Sequence, residues 1–409
     1  MRNPILKYIL LLIFLNTNLY PQVLSQFRGP NRNGIYMENN LLPHWPEKGP
    51  ELLWTYEGLG SGHTSVAIAK NIIYTTGMRD STGILYAFNL HGKLLWEKEY
   101  GLEWTTNYPG TRSTPTIEGN YLYLESGRGK VFCLNASNSQ KIWSVNLLKK
   151  FYAKNINWGM TESLLIDGDH LICTPGGPDY NVVALNRFTG ETIWSSRGAG
   201  DQSAYCSPVL INHNNNRLIV TMTAESIIGI NADTGEFLWR VPHYQRNKIH
   251  ANSPLYWNGQ ILCSSESAKN PDHGTVLLQL DETGKNACVV WRNSQFRNLM
   301  GGIILKDGFV YGSVYHKKNW YCVDWNTGNI QYEFDGFGDG NIIYSDGLFY
   351  CYNEKGEIAL VAANEKQFDI ISSFLVPLGT DQHWAHPVIK DGRLYIRHGN
   401  ALMVYNVSR

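Results

Sequence analysis

The seven cysteines of this sequence include no adjacent pair, no Cys-x-x-Cys spacing and no Cys-x-x-Cys-His run. That sets aside the common thiol-redox motifs and covalent c-type haem. Charge is scarce and balanced: Asp, Glu, Lys and Arg make up 17% of the chain, 35 of each sign, for a net charge of zero. Without a basic run interleaved with aromatics, no nucleic-acid partner held through phosphates is expected. Long apolar runs are missing too. Residues 8–15 form a short one, well below the ~20 residues that a membrane-spanning helix needs. No nucleophile-elbow signature marks a Ser/His/Asp triad.

What is present is a phrase that recurs. It reads Asn186-Arg-Phe-Thr-Gly190-Glu-Thr-Ile-Trp194 and Asn231-Ala-Asp-Thr-Gly235-Glu-Phe-Leu-Trp239, with looser copies ending at Trp96, Trp143, Trp291 and Tyr332. Counting Trp54, the closing aromatics are 41 to 52 residues apart. Strand-type phrases at such a period predict propeller blades. Asn or Asp caps the turn, Gly supplies a positive φ, and Trp is a broad apolar plate for the gap between blades. Cys173, Cys263 and Cys351 each follow an apolar pair, and Cys133 and Cys322 share another strand position, so the thiols read as small core residues.

Inner strands beginning near residues 64, 112, 161, 206, 252, 301, 340 and 385 make eight four-stranded antiparallel blades. The last unit ends at Arg409 without an outer strand, while Glu51-Leu-Leu-Trp54 precedes the first unit. The N-terminal strand is therefore expected to complete blade 8 and close the ring, leaving no open edge there. Blade 7 has lost its Trp, with Ile370 or Ile371 near that place.

Arg2 and Lys7, the apolar residues 8–15 and the Val23-Leu24-Ser25 region read as an export signal over residues 1–25. The expectation is a single propeller over 26–409, monomeric, exported to the periplasm or beyond. It has no membrane span and no Cys near the cleavage region for lipid attachment.

These phrases resemble the PQQ-repeat (quinoprotein alcohol dehydrogenase-like) β-propellers, whose repeat reads Gly-x-(Leu/Val)-x-Ala-Leu-Asn-x-x-Thr-Gly-x-x-x-Trp. Residues 26–34, Gln-Phe-Arg-Gly-Pro-Asn-Arg-Asn-Gly, look like the leader of exported members. The family holds quinone-dependent dehydrogenases and the BamB assembly lipoprotein. The resemblance implies an all-β fold and leaves two functions open. One is a non-catalytic scaffold in the manner of BamB; the other is an enzyme, either a PQQ-dependent dehydrogenase using Ca²⁺ or a carbohydrate-active protein. The adjacent-cysteine disulfide typical of the dehydrogenases is missing, and no Glu/Asn/Asp set aligns as Ca²⁺ ligands. No cofactor or metal is therefore expected, and PQQ with Ca²⁺ stays as the alternative.

The loops that lead from one blade's outer strand to the next blade's inner strand converge on one face. Here they carry Trp104, Tyr108, Arg112, Trp158, Glu162, Tyr205, His250, Asn252, His383, Trp384 and His386. Aromatic plates with a few convergent polar groups suit a protein segment or a glycan. The same aromatics would equally pack on one another over the channel, and Arg28 and Arg32 would pin the N-terminal segment by pairing with Asp or Glu. Glu162 is the acid to watch, because burial at an inner-strand start would raise its pKa. At the start of blade 6, Asn298-Leu-Met-Gly301-Gly302, the resemblance implies a His that this sequence lacks. Residues 266–274 form an insertion in blade 5.

Overall fold

The computed structural model describes residues 24–266 and 274–409. Most of the expected signal segment and most of the blade 5 insertion lie outside those residues. The described chain forms eight antiparallel sheets arranged as the blades of one ring. Blade 1 is made of Ala67–Ala69, Ile72–Arg79, Thr82–Asn89 and Leu94–Leu102. Six more blades follow in order, and blade 8 takes its outer strand, Leu52–Tyr56, from the N-terminal region. Leu52–Tyr56 pairs antiparallel with Ala401–Asn406, so the expected ring closure is observed.

The recurring phrase has a physical reading in these blades. Asn186 Oδ1 accepts from the Phe188 and Thr189 N–H groups, and Asn231 Oδ1 accepts from those of Asp233 and Thr234. The side chain thus caps the turn before the outer strand. The Gly of each turn then serves the preceding blade. Gly235 has φ +76°, and a Cβ there would stand 2.6 Å from the Trp194 ring. Trp143 lies on Gly190 in the same way, and its Nε1 donates to Arg187 O at 2.9 Å. Trp239 and Trp291 donate likewise to Gly284 O and Trp325 O in the next blade. The Gly and the Trp of the repeat are therefore two halves of one latch between neighbours. Gly235→Ala is expected to cost about 1–3 kcal/mol, from a strained φ and a displaced ring, read as a lowered denaturation midpoint.

Every outer strand also carries a bulge at the same place. The residue before the Trp position, such as Leu53, Ile142, Ile193 or Val290, is skipped by the ladder in all eight blades. Ile142 and Ile193 stand exposed there. A bulge twists an edge strand away from further pairing, which protects eight free edges from aggregation.

Two features differ from the sequence expectation. In blade 7 the residue in register with the Trp position is Ser372, one beyond Ile371. The plate is supplied from elsewhere: Trp45, fully buried, sits 5.7 Å from Tyr350 and 5.2 Å from Phe374, and its backbone N–H donates to Ser372 Oγ at 2.9 Å. The second difference is the leader. Leu24–Ser25 pairs with the inner strand of blade 2 as a fifth strand, and the next residues cross the central channel. Arg28 donates to Ile303 O and Asn33 O, and Arg32 to Ser163 O, Leu164 O and Pro208 O. The two arginines bond backbone carbonyls of inner strands rather than Asp or Glu, so the leader is a plug. Ile35 then bridges to Tyr344 of blade 7.

The thiols behave as core residues. All seven cysteines are free, and six of them, all except Cys288, are buried.

Candidate functional site

The loop face is built where outer strands hand over to inner strands, above the plug. Of the residues expected there, several turn out to be framework. His250 is fully buried beside His243, with ring centroids 5.3 Å apart. Asn252 donates to Asn298 O and Leu299 O and accepts from Gly302 N–H, tying blade 5 to blade 6. His386 Nε2 faces Met300 O, so its Nδ1 is the acceptor for Arg28 at 3.1 Å. Burial, and secondarily the Arg28 charge, holds that imidazole down at about 3, which keeps it neutral. Gly302 explains the missing polar residue of blade 6, because a Cβ there would fall on the Arg28 guanidinium. Trp104 is buried, with Arg128 over its ring at 5.6 Å.

Glu162 is 1% exposed. Its Oε2 accepts from Thr174 N–H at 2.8 Å and from Thr174 Oγ1 at 2.5 Å, while Oε1 is buried without a partner among the described residues. Burial raises its pKa to about 7. A second buried acid, Glu125, is pushed well up by burial and then by the charges of Glu162 and Glu103, and Glu103 is itself raised to about 7 by burial. Glu103 accepts from Tyr100 Oη, Trp104 N–H and Gly127 N–H. Among the described residues no three His, Cys, Asp or Glu side chains come together so as to hold a metal ion. With one oxygen of Glu162 committed to Thr174 and the other enclosed, this arrangement does not fit a Ca²⁺ ligand set.

The residues that do reach the surface form two groups. Tyr108, 47% exposed, lies 4.9 Å from Trp384, whose ring is also 5.0 Å from His63. Arg112 donates to Asn107 O and Tyr108 O beside them, and burial lowers its pKa to about 10, so it stays cationic. Trp158 packs 6.0 Å from Tyr205, which is largely buried. His383 stacks on His398 at 3.6 Å and bonds Tyr352 Oη. Three contributors were not singled out by the sequence: Tyr152 and Tyr244, exposed at 87% and 48%, and His63, whose ring nitrogens are buried without partners among the described residues. A larger cavity, about 530 Å³, lies beyond the plug among the inner strands of blades 3 to 6, walled by residues such as Ile166, Ile211 and Leu255.

Eight four-stranded blades latched by Asn-turn-Gly-Trp phrases define a PQQ-repeat propeller. Residues 81–333 match the family model described as outer membrane protein assembly factor BamB, and the chain belongs to that family. It is 27% identical over 209 residues to outer membrane protein assembly factor BamB of Kangiella koreensis, covering 49% of this chain and 48% of that one. It is 23% identical over 158 residues to the quinoprotein alcohol dehydrogenase PedH of Pseudomonas putida, covering 36% and 25%. The chain thus spans about half or less of the curated relatives it matches. Among solved structures it is similar to BamB from Moraxella catarrhalis, with a TM-score of 0.61, 13% identity, and coverage of 87% of this chain and 99% of the other. It is also similar to the quinohemoprotein alcohol dehydrogenase of Comamonas testosteroni, with a TM-score of 0.65, 12% identity, and coverage of 93% and 79%. These likenesses carry the fold. No helix among the described residues is long and apolar enough to cross a membrane.

Proposed function

We propose that this chain is an exported, non-catalytic binding scaffold that holds a protein segment or a glycan on its loop face. The observation that carries the reading is the exposure of Tyr108, Tyr152 and Tyr244 on loops of one face. Tyrosine offers a large amphipathic contact area with little side-chain entropy to lose, which is why it is enriched where proteins bind partners. The plug beneath, held by Arg28 and Arg32, makes this face a floor rather than the mouth of an open channel. The similarity to BamB proteins supports a scaffold, and residues 1–25, which read as an export signal, support a periplasmic or secreted location for a mature propeller over 26–409.

The test is binding of the purified chain to peptide and glycan arrays, with a Tyr108→Ala/Tyr152→Ala/Tyr244→Ala triple variant as comparison. All three side chains are exposed, so the variant is expected to keep its denaturation midpoint within about 0.5 kcal/mol per site. Binding to one array, lost in the variant, is the expected result. Binding that survives the three substitutions, or none on either array, rejects the reading. A third arm titrates PQQ with Ca²⁺ and reads tryptophan quenching. Saturable quenching lost in Glu162→Ala would replace the scaffold with a quinone-dependent dehydrogenase.

A further inference from the structure

Between blades 6, 7 and 8 the loop face carries a small recess of about 20 Å³. That is room for one water-sized group. Its lining includes Tyr315, Asp339, Asn341, Glu354 and Trp384. Asp339 is only 4% exposed, and its carboxylate has no ion pair among the described residues; its own backbone N–H is the donor that supports it. Glu354 accepts from Trp384 Nε1 through Oε1 at 2.9 Å, which leaves Oε2 open. Asn341 commits its Nδ2 to His383 O and Ala385 O, and so keeps Oδ1. Ser313, also on the wall, commits its hydroxyl to Gly340. The recess therefore offers acceptors in excess of donors, and two of them belong to carboxyl groups.

The cations that face this pair are Lys318 and His316, both from the blade 6 turn. His316 lies 3.6 Å from Glu266, and Lys318 makes no ion pair among the described residues. Burial pushes Asp339 and Glu354 upward, and Asp339 adds to the rise at Glu354. An arriving positive charge would relieve both acids.

We propose that this recess takes the ammonium group of a lysine side chain on a bound protein segment. The inference rests on the scaffold reading above and sharpens it, choosing a protein segment over a glycan. An ammonium is water-sized and carries three donors and no acceptor, the complement of this lining. The slender methylene stem of lysine lies well along aromatic faces such as Trp384 and Tyr315, with its charge at the far end. The wider planar guanidinium of arginine does not enter a space of one water.

The experiment is calorimetric titration of the full exported chain with acetyl-Gly-Lys-Gly-amide. The same peptide with Gln or Arg in place of Lys, and Gly-Gly-amide with a free amino terminus, serve as comparisons. The Lys peptide is expected to bind about tenfold or more tightly than the others, and Asp339→Asn to weaken it by a similar factor. Glu354→Gln is the second variant, for use if Asp339→Asn unfolds. Lys318→Ala, which removes a competing ammonium, is expected to leave the affinity unchanged or raise it. Equal binding of Lys and Gln peptides overturns the proposal. So do tighter binding of the free amino terminus, full affinity in both carboxyl variants, and no binding at all. The scaffold reading has its own separate test in the three tyrosines, none of which lines this recess.

Discussion

Trp45→Ala is expected to cost about 3–5 kcal/mol, the range for removing a fully buried large aromatic side chain. The loss should exceed that of Trp96→Ala, a repeat tryptophan that is only half-buried. Trp45 does for blade 7 what the repeat tryptophans do for theirs, from a different place in the chain. It meets Tyr350 and Phe374 of blade 7, and Phe374 in turn lies 5.1 Å from Tyr405 of blade 8. The tryptophan therefore stands at the joint where the ring is closed by the N-terminal strand. Removing it opens a cavity at that joint and leaves Ser372 Oγ anchoring a looser strap. Urea denaturation, with midpoint and slope compared between Trp45→Ala, Trp96→Ala and the parent chain, checks this. A Trp45→Ala midpoint equal to that of the parent would show that blade 7 needs no plate.

The blade plan was legible because it is local. The clear copies carry their cap, their Gly and their Trp within about ten residues, and repetition around the ring averages out the weak ones, such as the copy ending at Tyr332. Ring closure was legible from one leftover strand. The role of Trp45 was not, because the residue lies outside any repeat and its partner, Ser372, is more than 300 positions away. The plug was half legible: residues 26–34 stood out as a unit. Arginine suggests carboxylate partners, however, whereas here the ends of inner strands offer Arg32 the carbonyls of Ser163, Leu164 and Pro208. At the loop face, the chemistry of a residue type did not reveal its depth. His250, Asn252 and His386 have the side chains of a ligand site and are spent on neighbouring loops and the plug. Tyr152 and Tyr244 share loops with such residues, and exposure makes them the better candidates. Asp339 and Glu354, 15 positions apart, come together because the first two strands of blade 7 pair in register, Gly340 opposite Asn353, with Glu354 N–H donating to Asp339 O.

The contribution of Glu162 to stability should fall as pH rises from about 5 to 8, against the gain from buried neutral histidines such as His386, and Glu162→Gln should remove that fall. Burial lifts Glu162 from 4.5 to about 7 in the folded chain, and the same cause lifts Glu103 to about 7. A carboxyl raised in this way binds its proton more tightly when folded than when unfolded. Its contribution is fully present below about 4.5, shrinks as the unfolded chain ionises, and is lost once pH passes the folded value near 7. A displacement from 4.5 to about 7 corresponds to about 3 kcal/mol for Glu162. Glutamine keeps an acceptor for Thr174 N–H and Oγ1 and mimics the protonated acid. The variant should therefore match the parent near pH 4 and exceed it by about 2–3 kcal/mol at pH 8. Arg32 sharpens the comparison, because its charge favours the ionised form of Glu162 and works against the burial cost. If the Arg32 attraction were the stronger of the two, Glu162→Gln would be less stable than the parent at pH 8. The sign of the difference thus decides whether burial or the plug's arginine governs this acid.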